Sequence, residues 1–438
     1  MSESNRTFVG FGFGAIQAGL FLYEAARSGN FGRLVVGEVV PAAVDEVVKA
    51  GGRYVVNIAS SDGVKPEEVG PVEILHTGCE HGRALLVNAV AEAKEIATAV
   101  PGVQQYVSDA PGSLHGILAD GLRKKAAARG PRAVVYAAEN HNHAAEILEA
   151  AVLDAVPVDE RGSVRSRVRF LNTVIGKMSG VVSDEGEMHS RGLAPITPGA
   201  GRAFLVESFN RIYISRIRFD GGANAGFRRG IAIFEEKPDL LPFEEAKLYG
   251  HNATHALAAY VAAVRGLERM CELTDDPGVV AFLEAAFIQE SGATLIRRHA
   301  GLDPLFTAEG YRAYALDLLT RMFNPHLGDL VSRVGRDPQR KLGWDDRLIG
   351  TIRLATAYGV EPRRYAMGAA AALAMLDGSV LRADSPSASA LLDPLWREAR
   401  PDAAEAREAI RLVEDGRNRL RLWVERGFPD LGAFPACC

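Results

Sequence analysis

Apolar positions follow two periodicities along this 438-residue chain, and the change between them divides it into two halves. In the first half, short apolar runs of strand length alternate with stretches whose apolar residues recur at helical spacing. From about Leu240 onward, the helical spacing continues almost throughout. The runs that predict strands are residues 7–12, 33–40, 132–138, 167–174 and 212–219, those that predict helices are residues 15–28, 84–97 and 116–129, and the Gly-, Pro- and Ser-rich tract 179–201 predicts a loop.

Strands that alternate with helices, after a glycine-rich first turn, favour a parallel doubly wound sheet. We therefore predict an α/β protein with an N-terminal Rossmann-type domain over residues 1–235 and a mostly α-helical domain over residues 236–438. The chain is long enough to bury two cores, and its 47% hydrophobic content is ordinary for a globular protein.

The charge and the termini exclude several classes of protein. A net charge of −5 gives no reason to expect nucleic acid or an anionic membrane as a partner. No signal peptide is predicted, and the longest apolar stretch, residues 367–376, is too short to span a bilayer. Four cysteines, with Cys437 and Cys438 adjacent, do not make a disulfide framework. We expect a cytoplasmic protein, and the sequence leaves its oligomeric state open.

Three polar residues suited to proton transfer occur together at the start of the helical half. Lys247, Asn252 and His255 lie in an otherwise apolar run, and at about 100° per residue Lys247 and His255 share one side of a helix. Desolvation lowers a lysine pKa toward neutrality, which would make Lys247 usable as a general base. The alternative is a snorkelling surface lysine, a helix-capping Asn and a core His.

The spacing Lys-x4-Asn-x2-His resembles the signature of the long-chain polyol dehydrogenases, which include mannitol 2-dehydrogenases and mannitol-1-phosphate 5-dehydrogenases. The resemblance implies that Lys247 is the general base and that Asn252 and His255 bind the reacting oxygen. Asn172 matches an Asn that joins the helix Asn in mannitol 2-dehydrogenase, whereas the mannitol-1-phosphate enzymes look to carry Asp there. The family's Asp-Arg in that segment is Gly176-Lys177 here. Residues 324–348 are closest to the mannitol-1-phosphate enzymes.

A glycine-rich turn between the first strand and the first helix suits a dinucleotide pyrophosphate, because glycines let backbone N–H groups approach it. Gly10-x-Gly12-x-x-Ala15 fits the general pattern, but the family's own pattern matches residues 11–19 and also places Ile16. In that frame Gln17 replaces a glycine. The residues expected to contact the dinucleotide in this turn are Gly12, Phe13, Gly14, Ile16 and Gln17.

Two acidic segments complete the predicted cofactor site. Glu38 ends the second strand, where a carboxylate accepts hydrogen bonds from both ribose hydroxyls of NAD and repels the 2′-phosphate of NADP. Glu139 and Asn140 look like a family segment that lies near the nicotinamide. We therefore predict NAD as the cofactor.

Other clusters have less specific patterns. His141 with His143, and Cys79 with His81, lack the spaced partner set of a zinc site, so no metal is expected. Residues 333–347 contain five basic side chains interleaved with aspartates. They fit either a salt-bridged surface or a site for a substrate phosphate.

Together these features predict an NAD-dependent, metal-independent oxidoreductase that interconverts a polyol or polyol phosphate and its ketose. Asn172 and Asn252 would donate to the oxygen as charge develops, His255 would orient the substrate, and Glu244 or Glu245 would pass the proton onward. The alternatives are a free mannitol 2-dehydrogenase, a hexuronate reductase, and an NAD-binding regulator without turnover.

Overall fold

The computed structural model describes residues 6–209, 211–220, 222–223, 226–382 and 384–433, so Cys437 and Cys438 lie outside the described residues. The chain divides into two compact units, Met1–Leu241 and Pro242–Cys438. The predicted boundary at residue 235 falls within a strand of the first unit's sheet, Phe234–Lys237.

The first unit is built on an eight-stranded sheet with a smaller sheet beside it. Its strands are β1 Thr7–Phe11, β2 Arg33–Glu38, β3 Tyr54–Ser60, β4 Gly63–Val69, β5 Glu73–His76, β6 Glu95–Thr98, β7 Ala133–Ala137, β8 Val168–Ile175, β9 Ser179–Val182, β10 Ala203–Glu207, β11 Ile212–Ser215, β12 Arg218–Phe219, β13 Gly222–Ala223 and β14 Phe234–Lys237. Its helices are α1 Tyr23–Ser28, α2 Pro41–Lys49, α3 Glu80–Glu92, α4 Leu114–Ala127, α5 Ala144–Asp154, α6 Arg161–Arg165 and α7 Glu185–Ser190, with a π-helical turn at Gln17–Leu22 that leads into α1 and a 3₁₀ turn at Val103–Gln105.

The large sheet has the order β14-β11-β8-β7-β6-β1-β2-β5. All its pairs are parallel except β8 with β11. The chain runs from β1 to β2 on one side and later returns to β6 on the other, so the winding reverses direction at β1. Every residue of β1, β6 and β7 is buried, as central parallel strands require. The predicted doubly wound α/β fold is confirmed.

Two local predictions were wrong. The predicted helix 84–97 ends as α3 at Glu92, and its last residues form β6. The apolar residues Ala93, Ile96 and Ala97 happen to keep helical spacing across this junction. The predicted loop 179–201 contains β9 and α7, and β9 is the edge of the second sheet, β4-β3-β10-β9. This sheet depends on pairing between distant segments, which local periodicity does not reveal.

The second unit is almost wholly helical. Its α-helices are α8 Leu241–Glu245, α9 Ala253–Val264, α10 Pro277–Ala285, α11 Ala293–Arg298, α12 Ala308–Met322, α13 Val331–Gly335, α14 Pro338–Lys341, α15 Ile349–Ala357, α16 Arg363–Leu376, α17 Ala388–Trp396 and α18 Ala403–Glu425. Two π-helical segments, Ala246–Asn252 and Ala286–Gly292, join α8 to α9 and α10 to α11, and 3₁₀ turns occur at Met270–Asp275, Pro304–Phe306, Gly378–Leu381 and Leu431–Ala433.

The core of the second unit forms where α9, α16 and α18 pack closely. A Cβ on Gly368 of α16 would lie 2.4 Å from Leu257 Cδ1 of α9, and one on Gly416 of α18 would lie 2.4 Å from the Ala366 carbonyl oxygen. Glycine is therefore required at Gly416, because a side chain there would meet the main chain of α16, whereas at Gly368 the side chain of Leu257 would have to shift. The contacts hold α9, which continues the Lys247 segment, in a fixed place.

One continuous helical run among the described residues, Pro277–Arg298, is long and apolar enough to cross a membrane by length and composition alone. It spans α10, the second π-helical segment and α11, and exceeds the apolar stretch at residues 367–376. Of its most apolar window, 56% is buried inside the chain, and core helices pass the same test, so the run is weak evidence for a membrane span.

Candidate functional site

The turn after β1 has a backbone that only glycine adopts without strain. Gly12 has φ +83°, and a Cβ there would lie 2.8 Å from the carbonyl oxygen of Ala99. Its N–H donates to the Gly37 carbonyl at 2.8 Å, which ties the turn to β2. At Gly14 a Cβ would meet nothing within 4 Å, so this backbone faces open space. The turn therefore exposes main chain as a pyrophosphate site requires.

A pocket of about 910 Å³ opens over this turn, at the carboxyl ends of β1, β2 and β6. This is where the sheet reverses its winding direction, the usual ligand position in doubly wound folds. Of the predicted cofactor residues, the pocket is lined by Gly12, Phe13, Gly14, Ile16 and Glu38. It is also lined by residues that the sequence analysis missed, among them Val39, Val40, His76, Val100, Gln105 and Val107.

Glu38 is the acidic residue of this pocket. Its Oε2 accepts the Phe13 N–H at 2.7 Å, and its Oε1 accepts the N–H groups of Val39 at 2.6 Å and Val40 at 2.8 Å. The side chain is buried. A carboxylate has about four acceptor positions, so Glu38 keeps capacity for a ribose hydroxyl while it fixes the turn.

Gln17 does not line this pocket, although the sequence analysis placed it among the cofactor residues. It is fully buried in the π-helical turn, and neither its Oε1 nor its Nε2 has a hydrogen-bond partner among the described residues. A Cβ on Gly10 would lie 2.1 Å from that Nε2. The amide therefore fills the space above Gly10 in β1, on the inner side of the helix.

Glu139 and Asn140 also do not line this pocket, and their place near the nicotinamide stays a prediction. The buried carboxylate of Glu139 accepts from Thr98 Oγ1 at 2.9 Å, from the Val100 N–H at 3.0 Å and from the Tyr106 hydroxyl. Burial raises its pKa despite these hydrogen bonds. Glu139 thus holds the segment after β6, whose Val100 lines the pocket.

Asn172 lies on β8 with most of its amide engaged. Its Oδ1 accepts the Ala145 N–H at 2.8 Å at the start of α5, and its Nδ2 donates to Glu146 Oε2 at 2.8 Å. The second N–H of the amide has no hydrogen-bond partner among the described residues. The neighbouring Lys177 is buried and donates to the carbonyl oxygens of Glu207 and Phe209, the latter at 3.0 Å.

In the second unit, Lys247 and Asn252 lie on the π-helical segment Ala246–Asn252, which runs directly into α9 with His255. The helix was predicted, but its π-helical winding was not. Its i→i+5 hydrogen bonds widen the turn, so the rotation of about 100° per residue used to place Lys247 and His255 on one side does not apply here. The segment packs on the other π-helical segment, because a Cβ on Gly250 would lie 3.0 Å from the Phe287 ring. Segments of this kind occur frequently at functional sites.

Lys247 has the pKa of a usable base. It is partly buried, and burial lowers the pKa of its ammonium to about 8, with a further lowering by the Arg347 charge and an opposing effect of Glu244. Asn252 is partly buried, and its carboxamide makes no hydrogen bond within the described part of the chain.

The two candidate proton carriers differ in their surroundings. Glu245 is buried and already bound on both oxygens: Arg298 Nη2 donates to Oε1 at 3.0 Å, and His299 Nε2 lies 2.7 Å from Oε2. Glu244 is the carboxylate whose charge acts on Lys247. The structure therefore distinguishes the two residues where the sequence did not.

Two imidazoles follow Lys247 along the helix, and one of them, His251, was missed. The ring centroids of His251 and His255 are 6.0 Å apart. Burial lowers the pKa of His251 well below its usual value, and it lowers the pKa of His255 to about 4 despite the opposing charge of Asp329. Both rings are therefore neutral at pH 7.

The basic cluster of residues 333–347 is largely salt-bridged. Arg340 donates to Asp337 at 2.8 Å and Asp346 at 3.0 Å, and Arg347 Nε donates to Asp346 at 2.8 Å. Lys341 is buried and donates to main-chain carbonyl oxygens, including that of Val334 at 2.6 Å. Arg336 is exposed, and among the residues that the structure describes its guanidinium has no hydrogen-bond partner.

Among the described residues, no group of three or more His, Cys, Asp or Glu side chains is arranged to hold a metal ion. His141 and His143 are exposed neighbours with ring centroids 6.2 Å apart.

The sequence matches the mannitol dehydrogenase Rossmann domain over residues 6–222 and the mannitol dehydrogenase C-terminal domain over residues 239–415. Two relatives named mannitol-1-phosphate 5-dehydrogenase are similar along most of their length. The one from Bacillus licheniformis is 29% identical and covers 83% of this chain and 86% of its own. The one from Arthrobacter sp. is 31% identical and covers 87% of this chain and 91% of its own.

Solved structures share the fold at lower identity. A D-sorbitol dehydrogenase in substrate-free form has a TM-score of 0.76 at 16% identity and covers 99% of this chain and 96% of its own. The Pseudomonas fluorescens mannitol 2-dehydrogenase with NAD and D-mannitol has a TM-score of 0.69 at 16% identity and covers 98% of this chain and 96% of its own. The chain belongs to the mannitol dehydrogenase family of polyol oxidoreductases, as the Lys247 signature indicated.

Proposed function

We propose that this protein is an NAD-dependent, metal-independent dehydrogenase that interconverts a polyol or polyol phosphate and its ketose. The observation that carries the proposal is the placement of Lys247, Asn252 and His255 on one helical run in a chain of the mannitol dehydrogenase family. Burial lowers the pKa of Lys247 to about 8, which suits a general base near neutral pH.

NAD fits the pocket of the first unit better than NADP. Glu38 stands at the carboxyl end of β2, where a ribose is bound in doubly wound folds. No Lys or Arg is among the residues that line the pocket, so nothing there would offset the 2′-phosphate of NADP against this carboxylate. Bound NAD would supply the hydride acceptor.

Proton transfer and binding of the reacting oxygen have separate polar residues. Neutral Lys247 takes the proton of the substrate hydroxyl, and Asn252 donates to the same oxygen as negative charge develops on it. Asn172 belongs to the first unit, and its role as a second donor stays a prediction. Glu244, rather than Glu245, moves the proton on from Lys247, because Glu245 is already bound by Arg298 and His299.

Within this proposal we favour a polyol phosphate over a free polyol as the substrate. The relatives at 29% and 31% identity are named for mannitol 1-phosphate. Arg336 supports a phosphate contact because its guanidinium is exposed and unpaired within the described residues, whereas Arg340 is shared between Asp337 and Asp346. Asn172 favours the alternative, a free mannitol 2-dehydrogenase, and a hexuronate reductase remains the third candidate.

A substrate panel tests the function directly. Purified protein is assayed for NADH formation with mannitol 1-phosphate, mannitol and sorbitol, and for NADH consumption with fructose 6-phosphate, fructose, fructuronate and tagaturonate. We expect the phosphorylated pair to give the highest kcat/KM, and EDTA to leave the rate unchanged. Equal activity on free mannitol would favour the 2-dehydrogenase, activity restricted to uronates would favour the reductase, and NAD binding without turnover would overturn the enzyme proposal.

Arg336 tests the phosphate contact. Arg336→Ala should raise KM for the sugar phosphate without changing the affinity for NAD, because the contact is shared by ground and transition states. Arg340→Ala is the comparison within the cluster, and its effect should be smaller.

The cytoplasmic location stays a prediction.

A further inference from the structure

His255 and Asp329 lie close together without forming a hydrogen bond. His255 Nε2 lies 3.9 Å from Asp329 Oδ2, and both atoms are buried without a hydrogen-bond partner among the described residues. The Asp329 side chain is only 9% exposed, and its other oxygen accepts a hydrogen bond from Arg333. Burying two such polar atoms side by side is costly unless they pair with each other.

The backbone holds Asp329 in this place. Its carbonyl accepts the Met270 N–H at 2.9 Å, and the next residues continue the pairing through the Arg269–Leu330 bridge. The Val331 N–H, at the start of α13, donates to the Glu268 carbonyl at 2.9 Å. Two chain segments thus fix the main chain of Asp329, whose Oδ2 lies 3.9 Å from the buried ring nitrogen. Hydrogen bonds of active sites are often long before the substrate binds.

The chemistry of the pair selects one tautomer of the ring. A carboxylate only accepts hydrogen bonds, so Nε2 must carry the proton to pair with Asp329, and a neutral ring then has none on Nδ1. The other nitrogen, Nδ1, makes no hydrogen bond in the part of the chain that the structure describes and is not among its fully buried polar atoms. It is therefore the nitrogen open to a ligand.

We infer that Asp329 is a positioning residue that keeps the proton of His255 on Nε2 and thereby makes Nδ1 an acceptor for a substrate hydroxyl. This inference rests on the proposed polyol dehydrogenase function and deepens it. An acceptor nitrogen binds the hydroxyl of an alcohol but donates nothing to a carbonyl oxygen. The donor to the reacting oxygen on this helical run is then the amide of Asn252, and His255 selects substrates with a free hydroxyl beside the carbon that is oxidised.

The tautomer can be measured on the wild-type protein. In the full chain labelled with ¹⁵N-histidine, long-range ¹H–¹⁵N correlations distinguish a protonated from an unprotonated ring nitrogen, and His255→Gln identifies the signal by its loss. We expect His255 to be neutral at pH 7 with its proton on Nε2. A proton on Nδ1 in the wild type would overturn the inference, whatever the enzyme activity, so its failure is separable from failure of the proposed function.

Kinetics test the consequence. Asp329→Asn keeps the shape but lets an amide N–H face Nε2, which moves the ring proton to Nδ1. We expect kcat/KM for the polyol to fall about 10- to 100-fold, as when a group that orients an imidazole is lost. In the His255→Gln background the same substitution should cost nothing further. A loss of equal size in both backgrounds would mean that Asp329 is merely structural.

Asp337→Asn is the matched control. It removes one carboxylate from an exposed residue of the same cluster, and Asn tolerates the positive φ of 59° found there. It should leave both the His255 signal and kcat/KM near wild type. A substrate analogue that lacks the neighbouring hydroxyl should react slowly with the wild type and be almost insensitive to Asp329→Asn. Full sensitivity with that analogue would contradict the acceptor role of Nδ1.

Discussion

The carboxylate of Glu38 accepts the backbone N–H of Phe13 at 2.7 Å, so the end of β2 and the glycine-rich turn form one unit. The residue predicted to discriminate between cofactors is thus also the one that shapes the turn over which the cofactor would lie. Substitutions at this position are expected to change specificity and affinity together.

Glu38→Ser should reduce the ratio of kcat/KM for NAD to that for NADP, because it removes the negative charge that would repel a 2′-phosphate. The affinity for NAD should fall as well, since three backbone N–H groups lose their acceptor. Initial rates with both cofactors measure the ratio. Glu68→Ser, at an exposed position of β4, is the control. A wild-type protein that prefers NADP would show that Glu38 has been misassigned.

Lys247 should determine the pH profile of the reaction. The base must be neutral, and with a pKa of about 8 its neutral fraction increases as pH rises, so polyol oxidation should increase through pH 8 and level off above it. Ketose reduction needs the ammonium and should decline over the same range. Steady-state rates between pH 6 and pH 10 would be measured. A profile that is flat across about pH 8 would contradict the role.

Lys247→Ala should lower kcat by about 10²- to 10⁴-fold, the usual worth of a general base. Fluorescence titration with NADH should show unchanged affinity, since the pocket belongs to the first unit. Lys49→Ala, at an exposed position on α2, serves as the comparison. Near-native turnover of Lys247→Ala would refute the mechanism.

Gln17→Met should raise the free energy of unfolding. The buried amide of Gln17 has no hydrogen-bond partner among the described residues, and an unpaired buried polar group costs about 1–3 kcal/mol. Met has a similar length and no polar group to satisfy. Urea unfolding followed by circular dichroism gives the difference. A clear loss of stability would indicate that the amide has a partner, such as a buried water.

Glu290→Gln should remove part of the pH dependence of stability. Burial raises the pKa of Glu290 to about 7, although the N–H groups of Arg364 and Tyr365 donate to it at the start of α16. The folded state then holds a proton that the unfolded state releases near pH 4.5, so the free energy of unfolding falls as pH rises from about 4.5 to 7.

The contribution of Glu290 is on the order of 3 kcal/mol across this range. The difference in unfolding free energy between wild type and Glu290→Gln, measured in urea at pH 5 and at pH 8, should therefore shift in favour of the variant at the higher pH. The same difference at both pH values would contradict the raised pKa.

The parts of the fold that were predictable have a local pattern. β1 and β7 are short buried runs between turn signals, and the helix 15–28 ends at Gly29, which adopts φ +64°. The junction of α3 and β6 was missed because Ala93, which follows α3, keeps a helical spacing with Ile96 and Ala97 of β6. The β4-β3-β10-β9 sheet joins residues more than a hundred positions apart, which no local window contains.

The same distinction applies to the site. Gly12 and Glu38 follow from the strand–turn–helix pattern, and Lys247 follows from its motif. Glu139 was placed at the cofactor by its resemblance to a family segment, and the sequence does not show that its carboxylate also binds the segment after β6. Asp329 acts on His255 and Arg347 acts on Lys247 from segments about 75 and 100 residues away, so only the folded chain brings them together.

The π-helical winding of Ala246–Asn252 determines the relative directions of the side chains in the Lys-x4-Asn-x2-His motif. A wide turn holds one residue more than an α-helical turn, so the same letters on a regular helix would point Lys247 and His255 in different relative directions. Placing Lys-x4-Asn-x2-His on a regular α-helix would therefore reproduce the residues of the signature but not their relative positions. A transferred signature would need the π-helical turn as well, in which a Cβ on Gly250 would lie 3.0 Å from the Phe287 ring.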